Sequence, residues 1–313
     1  MALAGDDCDP THLSPAAARL GRVFGRPRTI AVVCVVVLVM VGWLFLALTI
    51  AGALGRGQAG TLGFGMELFD LPTRRELDGL GRTLFDALCR PSFGSATAAA
   101  GIVGDAALIF VMWCAMTLAM MLPSAAPMIV TYAELADTAA RQHEPAVSPL
   151  VLIAGYVAVW FGFAAIATAL QFVLVRLALL DPAMAPASPL FSGAIFIAAG
   201  AYQFSVLKEA CVTRCQRPFP FFFARWSSEP RAILRLGLQQ GLTCLGCCWA
   251  AMLVMFAVGV MNVVWMAAIG LVMAAEKIAT TTRLNRAVGA AFVVIGLALI
   301  VSMVIAQWPV RLA

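Results

Sequence analysis

The stretch GLQQGLTCLGCCWAAMLVMFAVGVMNVVWMAAIGLVMAA, residues 237–275, is apolar almost throughout and holds three cysteines in five positions. They are Cys244, Cys247 and Cys248. At 1.5 Å per residue, a helix of ~39 residues would reach nearly 60 Å, roughly twice the thickness of a hydrocarbon core. One straight helix is therefore too long. The run reads as a tight helical hairpin turning near Gly259, with two short arms. It ends at Glu276-Lys277, and the turn returns Lys277, Arg283 and Arg286 to the side where it began. A single long tilted helix is the alternative.

Composition extends this reading to the whole chain. Of 313 residues, 62% are hydrophobic and 12% charged, against roughly 25% charged in soluble domains. A chain this apolar places much of its surface in lipid, where helices and closed barrels alone satisfy every backbone group. The apolar runs are continuous rather than alternating, which selects helices. The expectation is an all-α polytopic membrane bundle of about seven spans, or six if residues 237–275 form one helix. The net charge of +5 is modest. The arginines sit in short loops, which suits topology signals and not nucleic-acid binding.

Arg19, Arg22, Arg26 and Arg28 precede the first span, about Thr29 to Leu54, and place the N-terminus in the cytoplasm. That span exceeds the roughly 7–15 residues of a signal-peptide core, so it reads as a retained helix. Residues 1–103 thus comprise a tail, one span and an extracytoplasmic segment. In that segment Thr73 to Arg90 has the spacing of an amphipathic surface helix or a helical cap. Residues 104–313 hold the remaining spans. They run from about Gly104 to Leu122, where Pro123 and Pro127 break or kink the helix, from Pro149 to Leu179, from Leu190 to Ala210, through the hairpin, and from Val288 to Ile305. The loop with Lys208, Arg214, Arg217, Arg225, Arg231 and Arg235 falls inside, as the positive-inside rule requires. Its aromatic part, Phe219 to Trp226, is expected to rest on the inner membrane surface.

Span direction brings sulfur to one depth. Met120 and Met121 end the second span, Cys211 and Cys215 end the fourth, and Cys244, Cys247 and Cys248 lie in the inner half of the fifth. At ~100° per residue, Cys244, Cys247, Cys248, Met252 and Met255 share an arc of roughly 140°. Met112, Met116 and Met120 form a stripe at i, i+4, i+8. Thiolate and thioether are soft donors suited to Cu(I). Glu276, at the end of the hairpin, is a further candidate. Methionine stripes also serve as adaptable packing, and Cys8, Cys34, Cys89 and Cys114 read as small hydrophobes. Asn262 and Glu276, polar within or beside apolar helices, each require a partner. The chain has only two histidines, His12 and His143, neither in an apolar segment. No haem is expected, because a bis-histidine site needs imidazoles facing the bundle core.

These residues carry a resemblance. Met112-Trp113 with Met116, Ala119-Met120-Met121 and Pro123 forms the first part. Tyr202-Gln203 with Lys208, Cys211, Cys215, Arg217 and Pro218 forms the second. Gly241, Cys244, Gly246-Cys247-Cys248-Trp249 and Met252 form the third. Gly259, Met261-Asn262, Trp265 and Glu276-Lys277 form the fourth. Together they resemble an uncharacterised bacterial family of predicted metal-binding integral membrane proteins, over roughly residues 104–305. The resemblance implies a bacterial inner-membrane location and a metal site. Where that family often carries a histidine before the cysteine cluster, this chain has Gln240.

Three functions fit the residues. The first is a membrane protein that binds Cu(I) through Cys and Met to handle or move it, with a membrane or periplasmic protein as partner. The second is a thiol-disulfide or quinone-linked oxidoreductase using Cys244 and Cys247. The third is a non-catalytic subunit whose glycines serve helix packing. Convergence of the Cys244, Cys247, Cys248 and Met120 sulfur atoms would favour the first.

Overall fold

The protein's architecture is that of a computed structural model, which describes residues 27–54, 99–181, 185–279 and 281–307. The segment Thr73–Arg90, the arginines before Pro27, and Cys8 and Cys89 lie outside these residues.

The described chain is all-α. It comprises α1 (Pro27–Leu54), α2 (Ala99–Arg141), α3 (Pro149–Arg176), α4 (Pro189–Gln203), α5 (Val206–Gln216), α6 (Pro218–Phe223), α7 (Pro230–Leu253), α8 (Met255–Val258), α9 (Val263–Ile278) and α10 (Thr282–Gln307). Five helices are long and apolar enough to cross a membrane, and six if the bent pair α4–α5 counts as one span. Of the seven expected spans, the one not counted is the sixth, the second arm of the hairpin: it corresponds to α9, whose 16 residues fall short of the ~20 that a crossing needs.

The reversal at Gly259 is present. Gly259 has φ 102° and ψ 122°, a conformation open to glycine at little cost. The new helix is capped at once: Asn262 Oδ1 accepts from Trp265 N at 3.2 Å, and its Nδ2 donates to Val258 O at 3.3 Å. The polar group that required a partner inside an apolar run is thus the cap of α9.

Two helices differ from expectation. α2 continues through Pro123 and Pro127 to Arg141. Side chains serve the carbonyls around the prolines: Met121 O accepts from Ser124 Oγ at 2.8 Å and Tyr156 OH at 3.2 Å, and Pro127 O accepts from Thr131 Oγ1 at 2.8 Å. These bonds brace the helix beside the prolines; the carbonyls that lose a backbone donor to proline are those of Ala119 and Pro123. The fourth span, by contrast, is not one helix to Ala210. It bends by 64° between α4 and α5, where Ser205 caps α5 by accepting from Lys208 N at 3.1 Å.

The bend swings α5 onto α7. A Cβ on Gly246 would lie 2.7 Å from Cys211 Sγ, so a side chain there would push the Cys211 thiol from its place between α5 and α7. On the other flank of α7, a Cβ on Gly155 would meet the Leu234 carbonyl and one on Gly237 the Leu152 carbonyl. α3 and α7 therefore touch through backbone, which brings Tyr156 to the cysteine face of α7.

The aromatic segment is not confined to a surface. Phe222 of α6 is fully buried and meets the Tyr132 ring edge-on at 5.5 Å, while Trp226 lies 5.8 Å from the same ring. Phe219 and Phe223 are exposed and stacked. Arg28 pairs with Glu134 at 3.5 Å. The start of α1, the far end of α2, α6 and the start of α7 therefore share one end of the bundle. That is the grouping of basic loops which the arginine pattern requires.

Candidate metal centre

Positions 244, 247 and 248 stand at i, i+3 and i+4 on α7, so one helical turn places three thiols on one face. The three Sγ atoms lie within 4.8 Å of one another and all three residues are buried. Cys247 and Cys248 Sγ are 3.2 Å apart, and the Cys247 thiol donates to Cys244 O at 3.1 Å.

Four other helices supply the polar surroundings. From α9, Lys277 Nζ donates to Cys244 Sγ at 3.0 Å and to Ser124 Oγ of α2 at 2.6 Å. From α3, Tyr156 OH lies 3.0 Å from the same sulfur and 3.2 Å from Met121 O. The carbonyl only accepts, so the phenol has two settings. It donates to Met121 O while the Cys244 thiol donates to it, or it turns its proton to a Cys244 thiolate. From α5, Lys208 Nζ donates to Cys247 O and to Glu276 Oε2 of α9, each at 2.6 Å. Both side chains of this ion pair are 1% exposed. Glu276 Oε1 is buried without a hydrogen-bond partner. Gln216 of α5 donates to Glu276 O at 2.9 Å, which ties the end of α9 to α5.

A cavity of about 30 Å³ opens between Cys244 and Lys277, with Ser124, Tyr156, Cys215 and Gln240 on its wall. That is room for one ion or one water. The residues present fit a soft metal. Metal–thiolate bonds near 2.3 Å in a trigonal site need sulfur separations of about 4 Å, so the Cys247–Cys248 pair, at 3.2 Å, would open by less than about 1 Å. The donors are soft, and Lys277 offsets part of the charge that three thiolates would carry.

The other sequence candidates are distributed around this centre. Cys215 lines the cavity and interacts with the Cys247 thiol. Cys211 packs on Gly246, one turn closer to the α4–α5 bend. Glu276 is held by Lys208. Met252 and Met255 are buried farther along α7 and α8, toward the Gly259 turn. Met112 and Met116 are buried on α2 beside Trp113, and Met120 lies against Gly270 of α9.

Tyr156 and Lys277 both touch Cys244 Sγ, yet neither is among the Cys, Met and Glu candidates that the sequence offers. Two signals were available. Lys277 follows Glu276 directly at the end of an apolar run, and Tyr156 is one of only three tyrosines. All three tyrosines donate to backbone carbonyls of other segments: Val147, Met121 and Gly246.

Comparison with curated proteins and comparison with solved structures give no match. Comparison with protein families does: residues 110–299 match the family PpoB2, described as copper chaperone. The match covers more than half of the chain, lies within the 104–305 region of the sequence resemblance, and includes every helix that supplies the thiol cluster and its polar partners. This chain belongs to the PpoB2 copper chaperone family.

Proposed function

We propose that the protein binds copper as Cu(I) at Cys244, Cys247 and Cys248 within the membrane and passes it to a membrane or periplasmic partner. The observation that carries this is the meeting of three buried thiols within 4.8 Å with a lysine donating to one of them. Copper here is cargo. Each thiol that takes it gives up a proton and forms one copper–sulfur bond, with no change in oxidation state. Lys277, which donates to Cys244 Sγ, stabilises the thiolate that forms as copper binds, and Tyr156 turns its phenol proton to whichever form is present. Cys215 and Cys211 on α5 form an outward route. Met255, Met261 and Met112 offer weaker thioether steps toward the Gly259 end, because conduction requires sites that release as well as bind. The basic loops support an orientation in a bacterial inner membrane with the cysteine-rich side of the bundle toward the cytoplasm.

The test is copper content and affinity of the purified protein, measured by competition with a chromogenic Cu(I) chelator under reducing conditions. The proposal expects one Cu(I) per chain and its loss in Cys247→Ser. Copper retained in Cys247→Ser at wild-type affinity would contradict it.

A second reading, a redox dithiol, draws on the same Lys277–Cys244 contact, since a cation beside a sulfur favours thiolate. Alkylation mapping separates the two. A redox pair alternates between protected and reactive forms with oxidant, whereas a copper site is protected by copper alone.

A further inference from the structure

Between α5, α6 and α7 lies a second cavity, of about 840 Å³, whose wall carries Arg214, Arg217 and Arg225. One carboxylate, Glu209, is also on the wall, so the lining carries an excess of positive charge. Ion pairs among the described residues are Arg28–Glu134, Arg141–Asp137 and Lys208–Glu276, so there none of the three guanidiniums has a carboxylate partner. Arg225 is placed by its contact with the Phe221 ring, 4.6 Å from the centroid. Gln239 and Gln240 lead inward along α7, and Gln240, which is buried, also lines the small cavity beside Cys244. The arginine groove and the thiol cavity thus share one wall residue. A volume of this size suits a small ligand, and unpaired guanidiniums bind carboxylates through charge-assisted, often bidentate hydrogen bonds.

We propose that this groove docks a small carboxylate-bearing thiol that carries Cu(I), a tripeptide-sized anion, and delivers its copper past Gln240 to Cys244. The inference rests on the copper reading above. In each exchange one copper–sulfur bond to the carrier breaks and one to a protein thiol forms. The proton released by the protein thiol goes to the departing carrier thiolate, and no electron is transferred.

The test uses the full chain in uncharged detergent micelles, with copper uptake followed by stopped flow. The donors are the Cu(I) complex of glutathione, which is anionic, and the Cu(I) complex of acetonitrile, which is cationic. In Arg214→Gln/Arg217→Gln/Arg225→Gln, uptake from the glutathione complex is expected to slow about tenfold or more. Uptake from the acetonitrile complex should be unchanged or faster. Arg231→Gln, outside the groove, should match wild type with both donors. If the triple variant does not fold, the wild type still decides: rising ionic strength should slow uptake from the glutathione complex only. Equal slowing with both donors, or none with glutathione, overturns the groove. So does phosphatidylglycerol that co-purifies with the wild type and is lost from the triple variant, because the arginines then hold a lipid headgroup. Failure of wild type to take copper from either donor would instead overturn the copper reading itself.

Discussion

Two sulfur-rich regions lie along the same hairpin, and they are built differently. Toward the basic end, Cys244, Cys247 and Cys248 sit among Lys277, Tyr156, Ser124, Lys208 and Glu276. Toward the Gly259 turn, the buried Met252, Met255, Met261 and Met266 share their region with large rings. There Trp113 meets Phe256 at 5.2 Å and Phe196 meets Trp265 at 5.8 Å. Charged groups hydrogen-bond to the thiol region, and aromatic packing dominates the methionine region. Sulfur content alone therefore does not define a site. A cation held against a sulfur by a second hydrogen bond distinguishes the region that captures copper from one whose packed thioethers offer it only weak sites.

The comparison can be broken or sharpened by substitution. The largest effect should come from the thiols. Cys247→Ser and Cys244→Ala are expected to weaken Cu(I) binding at least ~100-fold, since a hard hydroxyl or no donor replaces a soft one. Met116→Leu and Met252→Leu should change affinity less than about threefold and stability by less than about 1.5 kcal/mol. Equal losses in both sets, read by chelator competition, would erase the distinction.

Among effects on stability, as distinct from copper affinity, the largest should come from the buried ion pair. Glu276→Leu or Lys208→Met alone leaves a buried charge without its partner and should cost about 3–5 kcal/mol. Together, Lys208→Met and Glu276→Leu should recover much of that loss, as a double-mutant cycle of unfolding in detergent would show. An additive cycle would mean that the pair does not act as a unit.

Lys277→Met should follow, with Cu(I) affinity lowered about tenfold or more and the fold retained, because one cation no longer offsets the thiolates. Lys277→Arg should recover part of it. Binding unchanged in Lys277→Met would deny the lysine its role.

The smallest effect should be that of Tyr156→Phe. It removes one hydroxyl bonded to Cys244 and Met121 O, at about 1 kcal/mol. Copper affinity should shift by severalfold at most, and the same shift in Tyr132→Phe, whose hydroxyl bonds Val147 O, would show that Tyr156 is not specific to the site.

Much of this arrangement is legible in the sequence. Continuous apolar runs separated by arginine loops give an all-α membrane bundle, and the length of residues 237–275 together with Gly259 gives the reversal. The i, i+3, i+4 spacing gives the thiol cluster. The bend before α5 was not legible, because Phe204-Ser205 carries no proline or glycine to mark it and Ser205 acts only through a cap with Lys208. α2 continues past Pro123 and Pro127 to Arg141, and the hydroxyl of Tyr156 in α3 bonds its Met121 carbonyl, a contact between segments that local reading does not reveal. Lys277 and Tyr156 were missed for the same reason. Their roles depend on lateral contact with Cys244, and helix periodicity fixes the face of each helix but not its neighbour.

The central claim is that copper is held by the thiols of one turn of α7. X-ray absorption at the copper edge, on protein loaded with one equivalent of Cu(I), tests it most directly. The account predicts a sulfur shell of about three atoms near 2.3 Å that loses sulfur in Cys247→Ser. A shell dominated by nitrogen or oxygen, or one unchanged in Cys244→Ala, Cys247→Ser and the Cys248→Ser variant alike, would contradict it.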